Sequence, residues 1–191
     1  MALAAGADAV GMIFAPSPSE IEWGDALDIA RNLSGGVTAV AVFTNPSLAE
    51  VARVREIFSD PLIQLSGFES SEFARQIGGR MIKALHVGDE SAEEIEMTCD
   101  RYAPALPLLD TSVAGAFGGT GRSFDWSRVT SLAKWRPLLV AGGLTPENVG
   151  ACVKQLRPFG VDVRSGVETD GLKDPGKIER FVAAVRAADA A

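Results

Sequence analysis

An α/β fold with a parallel sheet is what this sequence predicts, and three observations predict it. Short, near-continuously apolar runs alternate with segments of helical spacing along the 191 residues, and strands covered on both faces read that way. Glycine, proline and small polar residues punctuate each change of period. Near the C-terminus, Leu138-Leu139-Val140-Ala141-Gly142-Gly143-Leu144 and Gly160-Val161-Asp162-Val163-Arg164-Ser165-Gly166 each run from aliphatic to small residues just before a helix signal. Glycines let a backbone approach a ligand closely, and helix starts carry unpaired N–H groups, so this pair of loops predicts an anion pocket for a phosphate. Two such loops about twenty residues apart fit strands 7 and 8 of a (β/α)8 barrel, where phosphate sites are frequently built.

The elements follow in order. Met1 to Asp8 reads as the end of a helix with Gly6 at its C-cap. Ala9 to Phe14 is a buried-strand run closed by Pro16-Ser17-Pro18, and Asp25 to Leu33 has helical spacing that stops at Gly35-Gly36. Val37 to Phe43 is the next strand, and Thr44-Asn45-Pro46-Ser47 opens a helix from Leu48 to Phe58. Leu62 to Leu65 and Met81 to Val87 read as strands, with Glu69 to Ile77 and Glu90 to Cys99 as the helices behind them. Leu106 to Asp110 is a strand followed by a long Gly-rich loop and a short helix near Asp125 to Leu132. Pro137 to Val140 is a strand, and Thr145 as N-cap with Pro146 at the first helical position starts the next helix. Val161 to Arg164 is the last strand and Pro175 to Ala188 the closing helix. That makes seven strands, where a closed barrel needs eight. The expectation is therefore one (β/α)-barrel domain over 1–191, without the first strand and most of the first helix, and with two unpaired strand edges.

Composition narrows the partners. A formal charge of −7 offers no basic stripe for a nucleic-acid backbone, so a phosphorylated small molecule would be held by local amides and dipoles. No apolar stretch approaches the ~20 residues that span a bilayer, and Met1-Ala2-Leu3-Ala4-Ala5 lacks the basic start of a signal peptide. The two cysteines, Cys99 and Cys152, lie far apart without metal-ligand spacing, which reads as buried or idle thiols in a reducing compartment. The cytoplasm is the expected location; the oligomeric state is not readable.

More specific are Gly6-Ala7-Asp8-Ala9-Val10-Gly11-Met12-Ile13-Phe14-Ala15-Pro16-Ser17-Pro18, Ile63-Gln64-Leu65 and Ile82-Lys83-Ala84. Leu108-Leu109-Asp110, Gly118-Gly119-Thr120-Gly121-Arg122-Ser123-Phe124-Asp125-Trp126, the two glycine loops and Lys173-Asp174-Pro175-Gly176-Lys177-Ile178 follow in turn. In that order, over nearly the whole chain, they resemble the phosphoribosylanthranilate isomerase family of the tryptophan pathway. The resemblance implies a small (β/α)8 barrel of TIM type. It also implies an enzyme that turns an aminoaldose into an aminoketose by Amadori rearrangement, with no metal and no cofactor.

Asp110 ends an apolar strand and opens into the Gly-rich loop, hence at the catalytic end of a barrel; by the resemblance it is the general acid. Apolar surroundings and an anionic substrate would keep its carboxyl protonated near neutral pH. Gly142, Gly143, Ser165 and Gly166 are the predicted phosphate ligands, through backbone amides and the Ser165 hydroxyl. The stretch bearing Gly118, Gly119, Gly121 and Arg122 looks like the family's mobile lid loop, and Arg122 reads equally as an anion contact or a solvated charge. Asp162, in an apolar run, must be hydrogen-bonded or inward-facing and reads as structural support. His86, the single histidine, reads as a strand-end residue satisfied by a loop; Lys83 is ambiguous. Trp23, Trp126 and Trp135 read as packing or surface groups.

The chain departs from the pattern in three places. The family's general base is a cysteine on the first strand, which has no counterpart here, and Cys99 and Cys152 fall on helices that point away from a barrel mouth. Ser19 and Glu20 stand where the family carries an arginine for the anthranilate carboxylate, and Ser66 stands for a histidine. Impaired turnover is therefore expected, with a non-catalytic sugar-phosphate-binding protein of the same fold as the alternative.

Overall fold

The computed structural model describes residues 1–33, 36–111 and 125–191. Its contacts divide into two compact units, one of Ala7–Ala84 with Arg101–Ala105, the other of Met1–Gly6, Leu85–Asp100 and Leu106–Ala191. Strands are hydrogen-bonded in chain order, β1 (Ala9–Ile13), β2 (Thr38–Phe43), β3 (Leu62–Leu65), β4 (Met81–Val87), β5 (Leu106–Thr111), β6 (Leu139–Val140) and β7 (Gly160–Val161). This is the order a repeated strand–helix unit produces when each crossover sets the next strand beside the last. Among the described residues, β1 and β7 each have a single strand neighbour in this sheet, at the two expected edges. Among the described residues no helix is long and apolar enough to cross a membrane.

In the first unit, β1 pairs with β2 from Ala9↔Thr38 to Ile13↔Val42, and β3 continues the parallel ladder from Val40↔Leu62. Helices α2 (Trp23–Asn32), α3 (Leu48–Ile57) and α4 (Ser71–Ile77) follow their strands. Met12, Phe14, Phe43, Val51, Val54, Ile63, Leu65 and Met81 form its core. Helix α3 starts where Ser47 and Glu50 make a reciprocal cap: the Ser47 hydroxyl accepts from the Glu50 N–H, and the Glu50 carboxylate accepts from the Ser47 N–H.

One buried ion pair ties the loops after β2 and β3 together. Lys83 Nζ lies 2.8 Å from Glu69 Oε2 and also donates to the Gly67 and Leu65 carbonyls. Glu69 accepts from the N–H groups of Asn45 and Gly67, and its carbonyl accepts from the Tyr102 hydroxyl. Lys83 is thus structural, since its three donors are used and its side chain is 5 % exposed.

The second unit holds α1 (Ala2–Ala5), the end of β4, α5 (Ala92–Arg101) to Asp100, β5, α6 (Thr130–Trp135), β6, α7 (Val149–Leu156), β7 and α8 (Pro175–Asp189). Gly6 ends α1 at φ 87°, the left-handed C-cap the sequence predicts. Leu109, Leu138, Val140, Leu144, Val149, Cys152 and Phe181 are its core. Two expectations need correction. Helix α7 begins at Val149, not at Pro146; residues 146–148 form a turn in which the Asn148 carboxamide accepts from the Thr145 N–H and donates to the Gly143 carbonyl. The last strand stops at Val161, because Ser165–Val167 turns into a short 3-10 helix. An antiparallel hairpin, β8 (Glu168–Thr169) with β9 (Leu172–Lys173), was not foreseen. Its signal was Asp170-Gly171, whose φ values of 52° and 77° suit a type I′ turn.

Replacing Lys83 by methionine should leave Glu69 charged, buried and unpaired. We expect a loss of about 3–5 kcal/mol in urea denaturation, with part recovered when Glu69→Gln is added.

Candidate active site

The site is laid out by the ladder of β5, β6 and β7. Leu109, Val140 and Val161 are register partners, and Leu109 and Val140 are 0 % exposed within the core. The ladder continues one residue further, where the Ala141 N–H donates to Leu109 O at 2.8 Å and the Asp162 N–H to Val140 O at 2.9 Å. Asp110, Ala141 and Asp162 therefore form the next row. Side chains alternate along a strand and register partners share a face, so both carboxyls leave the sheet opposite the Leu109–Val140 core. Their backbones are two strands, roughly 10 Å, apart, with only a methyl group between them.

Asp110 is half-buried, and its Oδ1 accepts from the Thr111 N–H at 2.7 Å. Burial pushes its carboxyl above the ordinary aspartate range; the charges of His86 and Arg164 and the Thr111 N–H oppose that rise without cancelling it. The surrounding protein raises Asp162 as well, with the negative charge of Asp110 adding to it, against Lys173, the Val163 N–H and Arg164. The surface of Asp162 is open to solvent, which screens part of this effect. Asp110 is the better-isolated acid of the two.

Gly142 follows at once, with φ 80°, and Gly143 has φ 62°. A methyl group on Gly142 would stand 2.6 Å from Asp110 Oδ1, so the loop backbone rests directly on the acid. Among the described residues the N–H groups of Gly142, Gly143 and Leu144 make no backbone hydrogen bond. Asn148 holds the Gly143 carbonyl at 2.8 Å, which turns the oxygen away and leaves the amides. Ser165 and Gly166 begin the 3-10 turn, where first-turn N–H groups have no carbonyl within the helix to reach. Gly166 packs against the Leu144 carbonyl so closely that a methyl group there would overlap it. The β8–β9 hairpin pins this turn from behind, through Lys173 Nζ on the Arg164 carbonyl at 2.8 Å, and Lys177 of α8 in turn holds the hairpin by donating to the Glu168 carbonyl at 2.6 Å.

The structure thus brings Asp110, Gly142, Gly143, Ser165 and Gly166 together in one unit. Gly118, Gly119, Gly121 and Arg122 lie outside the described residues. His86 is half-buried on β4, close enough for its charge to act on Asp110. Asp162, read as structural support, shares the face and the electrostatics of Asp110; the register of two flanking strands would have revealed it. Asn148 was missed too, its signal being an amide directly before a helix. Cys99 and Cys152 are buried on α5 and α7, and burial pushes the Cys152 thiol up to about 12. Trp23 packs on Phe14 at 4.8 Å, Trp126 packs against the second core and Trp135 is exposed. Ser19 and Glu20 are exposed after β1, and Ser66 is half-buried after β3.

Parallel strands in chain order, a carboxylic acid at the C-terminal end of one and free amides after the next two define an α/β protein of the (β/α)8-barrel class. Within that class, the family model described as N-(5'-phosphoribosyl)anthranilate (PRA) isomerase matches residues 1–184. An N-(5'-phosphoribosyl)anthranilate isomerase of Desulforudis audaxviator is 43 % identical over 187 residues, 98 % of this chain and 91 % of that protein. One from Pseudomonas fluorescens is 43 % identical over 97 % of this chain and 88 % of its own length. The crystal structure of phosphoribosyl anthranilate isomerase from Thermotoga maritima superimposes with a TM-score of 0.86 at 34 % identity, covering 97 % of this chain and 91 % of that one. A phosphoribosyl anthranilate isomerase in complex with reduced 1-(o-carboxyphenylamino)-1-deoxyribulose 5-phosphate superimposes at 0.83, with 34 % identity and the same coverage. The chain belongs to the N-(5'-phosphoribosyl)anthranilate isomerase family.

Gly142→Ala and Gly171→Ala both force a side chain into positive φ, at about 1–3 kcal/mol each. Only Gly142 also has Asp110 and Thr111 within contact, whereas Gly171 faces open space. Thermal denaturation should therefore find Gly142→Ala the more destabilised of the two.

Proposed function

We propose that this chain performs the isomerisation for which its family is named, in tryptophan biosynthesis. The aminoaldose N-(5'-phosphoribosyl)anthranilate is converted into the open-chain aminoketose 1-(carboxyphenylamino)-1-deoxyribulose 5-phosphate. The phosphate rests on the amides of Gly142, Gly143, Ser165 and Gly166, with the Ser165 hydroxyl as a further donor. Asp110 gives its proton to the ring oxygen as the C1–O bond breaks, leaving a Schiff base; loss of the C2 proton to a base then yields an enolamine that ketonises. The observation that carries the reading is the raised carboxyl of Asp110 lying directly against Gly142. An acid for this step must still hold its proton at working pH. Free, buried thiols fit the reducing cytoplasm as its place.

Neither cysteine of the chain is the base, because a thiolate is the reactive form and burial disfavours it in both. That observation favours a second reading, a sugar-phosphate-binding relative with little or no turnover. Calorimetry with the reduced product analogue, beside an isomerisation assay, separates the two. The 191-residue chain is expected to bind the analogue and turn over poorly, and to gain about 10²–10⁴ in rate when extended by a cysteine-bearing first strand. High activity of the unextended chain would overturn the missing-base argument.

Asp110→Asn should reduce kcat by about 10²–10⁴ with analogue binding kept. Wild-type rate should fall as pH rises through the raised pKa of Asp110, as the acid loses its proton. Stability follows the same proton: the folded state binds it more tightly than the unfolded chain does, so Asp110 erodes stability as pH rises from the unfolded value of about 3.9. Asp110→Asn should then melt higher than wild type at pH 7 and show no such gain at pH 3.

A further inference from the structure

We propose that Arg164 supplies the cation that engages the substrate's phosphate, completing a pocket otherwise made of neutral amides. The inference rests on the phosphate reading above and goes beyond it, because the glycine loops alone carry no formal charge. Arg164 directly precedes Ser165 and is the N-cap of the 3-10 turn, with φ −116° and ψ −79°. Its backbone is pinned, since its carbonyl accepts from Lys173 Nζ. Its side chain is exposed, and among the described residues its guanidinium makes no hydrogen bond or ion pair. Arg164 follows the end of β7, where the chain turns, and its guanidinium's charge reaches both Asp110 and Asp162.

The need for a cation follows from the surroundings. A phosphate resting on the glycine amides meets no formal positive charge in them, on a chain of net charge −7. Lys173, which also lies near Asp162, is already committed to Glu168 at 2.8 Å. Arg164 has donors to spare, and a guanidinium fork matches two phosphate oxygens at once, which an ammonium does not.

The test is calorimetry on the full chain with inorganic phosphate and, separately, with anthranilate. Wild type is expected to bind phosphate, Arg164→Gln to bind it roughly tenfold more weakly or worse, and Arg164→Lys to fall between them. Anthranilate affinity should not change, and an unaltered melting temperature for Arg164→Gln excludes misfolding. Phosphate binding by Arg164→Gln equal to wild type would overturn the inference, as would a loss of anthranilate affinity in its place. Failure of wild type to bind phosphate at all would strike the phosphate pocket itself, and the role of Arg164 with it.

Discussion

The candidate site depends on two backbone hydrogen bonds, Ala141 N–H to Leu109 O and Asp162 N–H to Val140 O. They carry the parallel ladder one row beyond β6 and β7, and that row contains Asp110 and Asp162. A slip of one residue would send both carboxyls into the core among Leu109, Val140 and Cys152, since strand side chains alternate. The register is held by those same core residues, which have nowhere else to go. Packing on one face of the strands thereby determines the chemistry on the other.

The row ends in a conflict between burial and charge that favours an acid. Protein around Asp110 resists the carboxylate, and the opposing pull of His86 and Arg164 does not cancel that resistance. The loop bearing Gly142 lies against the same carboxyl, so the group that would give up a proton and the amides that would hold an anion share one rigid corner. Asn148 and the β8–β9 hairpin hold that corner from outside, by fixing the carbonyls of Gly143 and Arg164. Each supporting contact is made to a backbone oxygen, which leaves the N–H groups facing the other way.

Much of this was legible in the sequence, for a simple physical reason. A strand that packs into a core reads as an apolar run between turn residues, so Ala9–Phe14, Val37–Phe43 and Met81–Val87 stood out by composition. Gly6 was legible as a C-cap because a left-handed residue there requires almost no other side chain. The start of α7 was misread, because Thr-Pro-Glu carries good capping chemistry and the competing Asn148 bridge involves a carbonyl five residues back. The last strand was drawn too long, because Val161 to Val163 has strand propensity throughout; the turn at Arg164 answers to the hairpin behind it. The nearness of Asp162 to Asp110 was not legible, for a related reason. It arises from pairing across two strands, and no local pattern contains that.

The contact of Gly166 with the Leu144 carbonyl locks the two glycine turns together. Side-chain growth at position 166 would collide with main chain, and main chain cannot step aside by changing rotamer. The two turns are therefore coupled through their backbones. A side chain added in one is accommodated only when the other shifts in concert, so the two turns behave mechanically as a single unit.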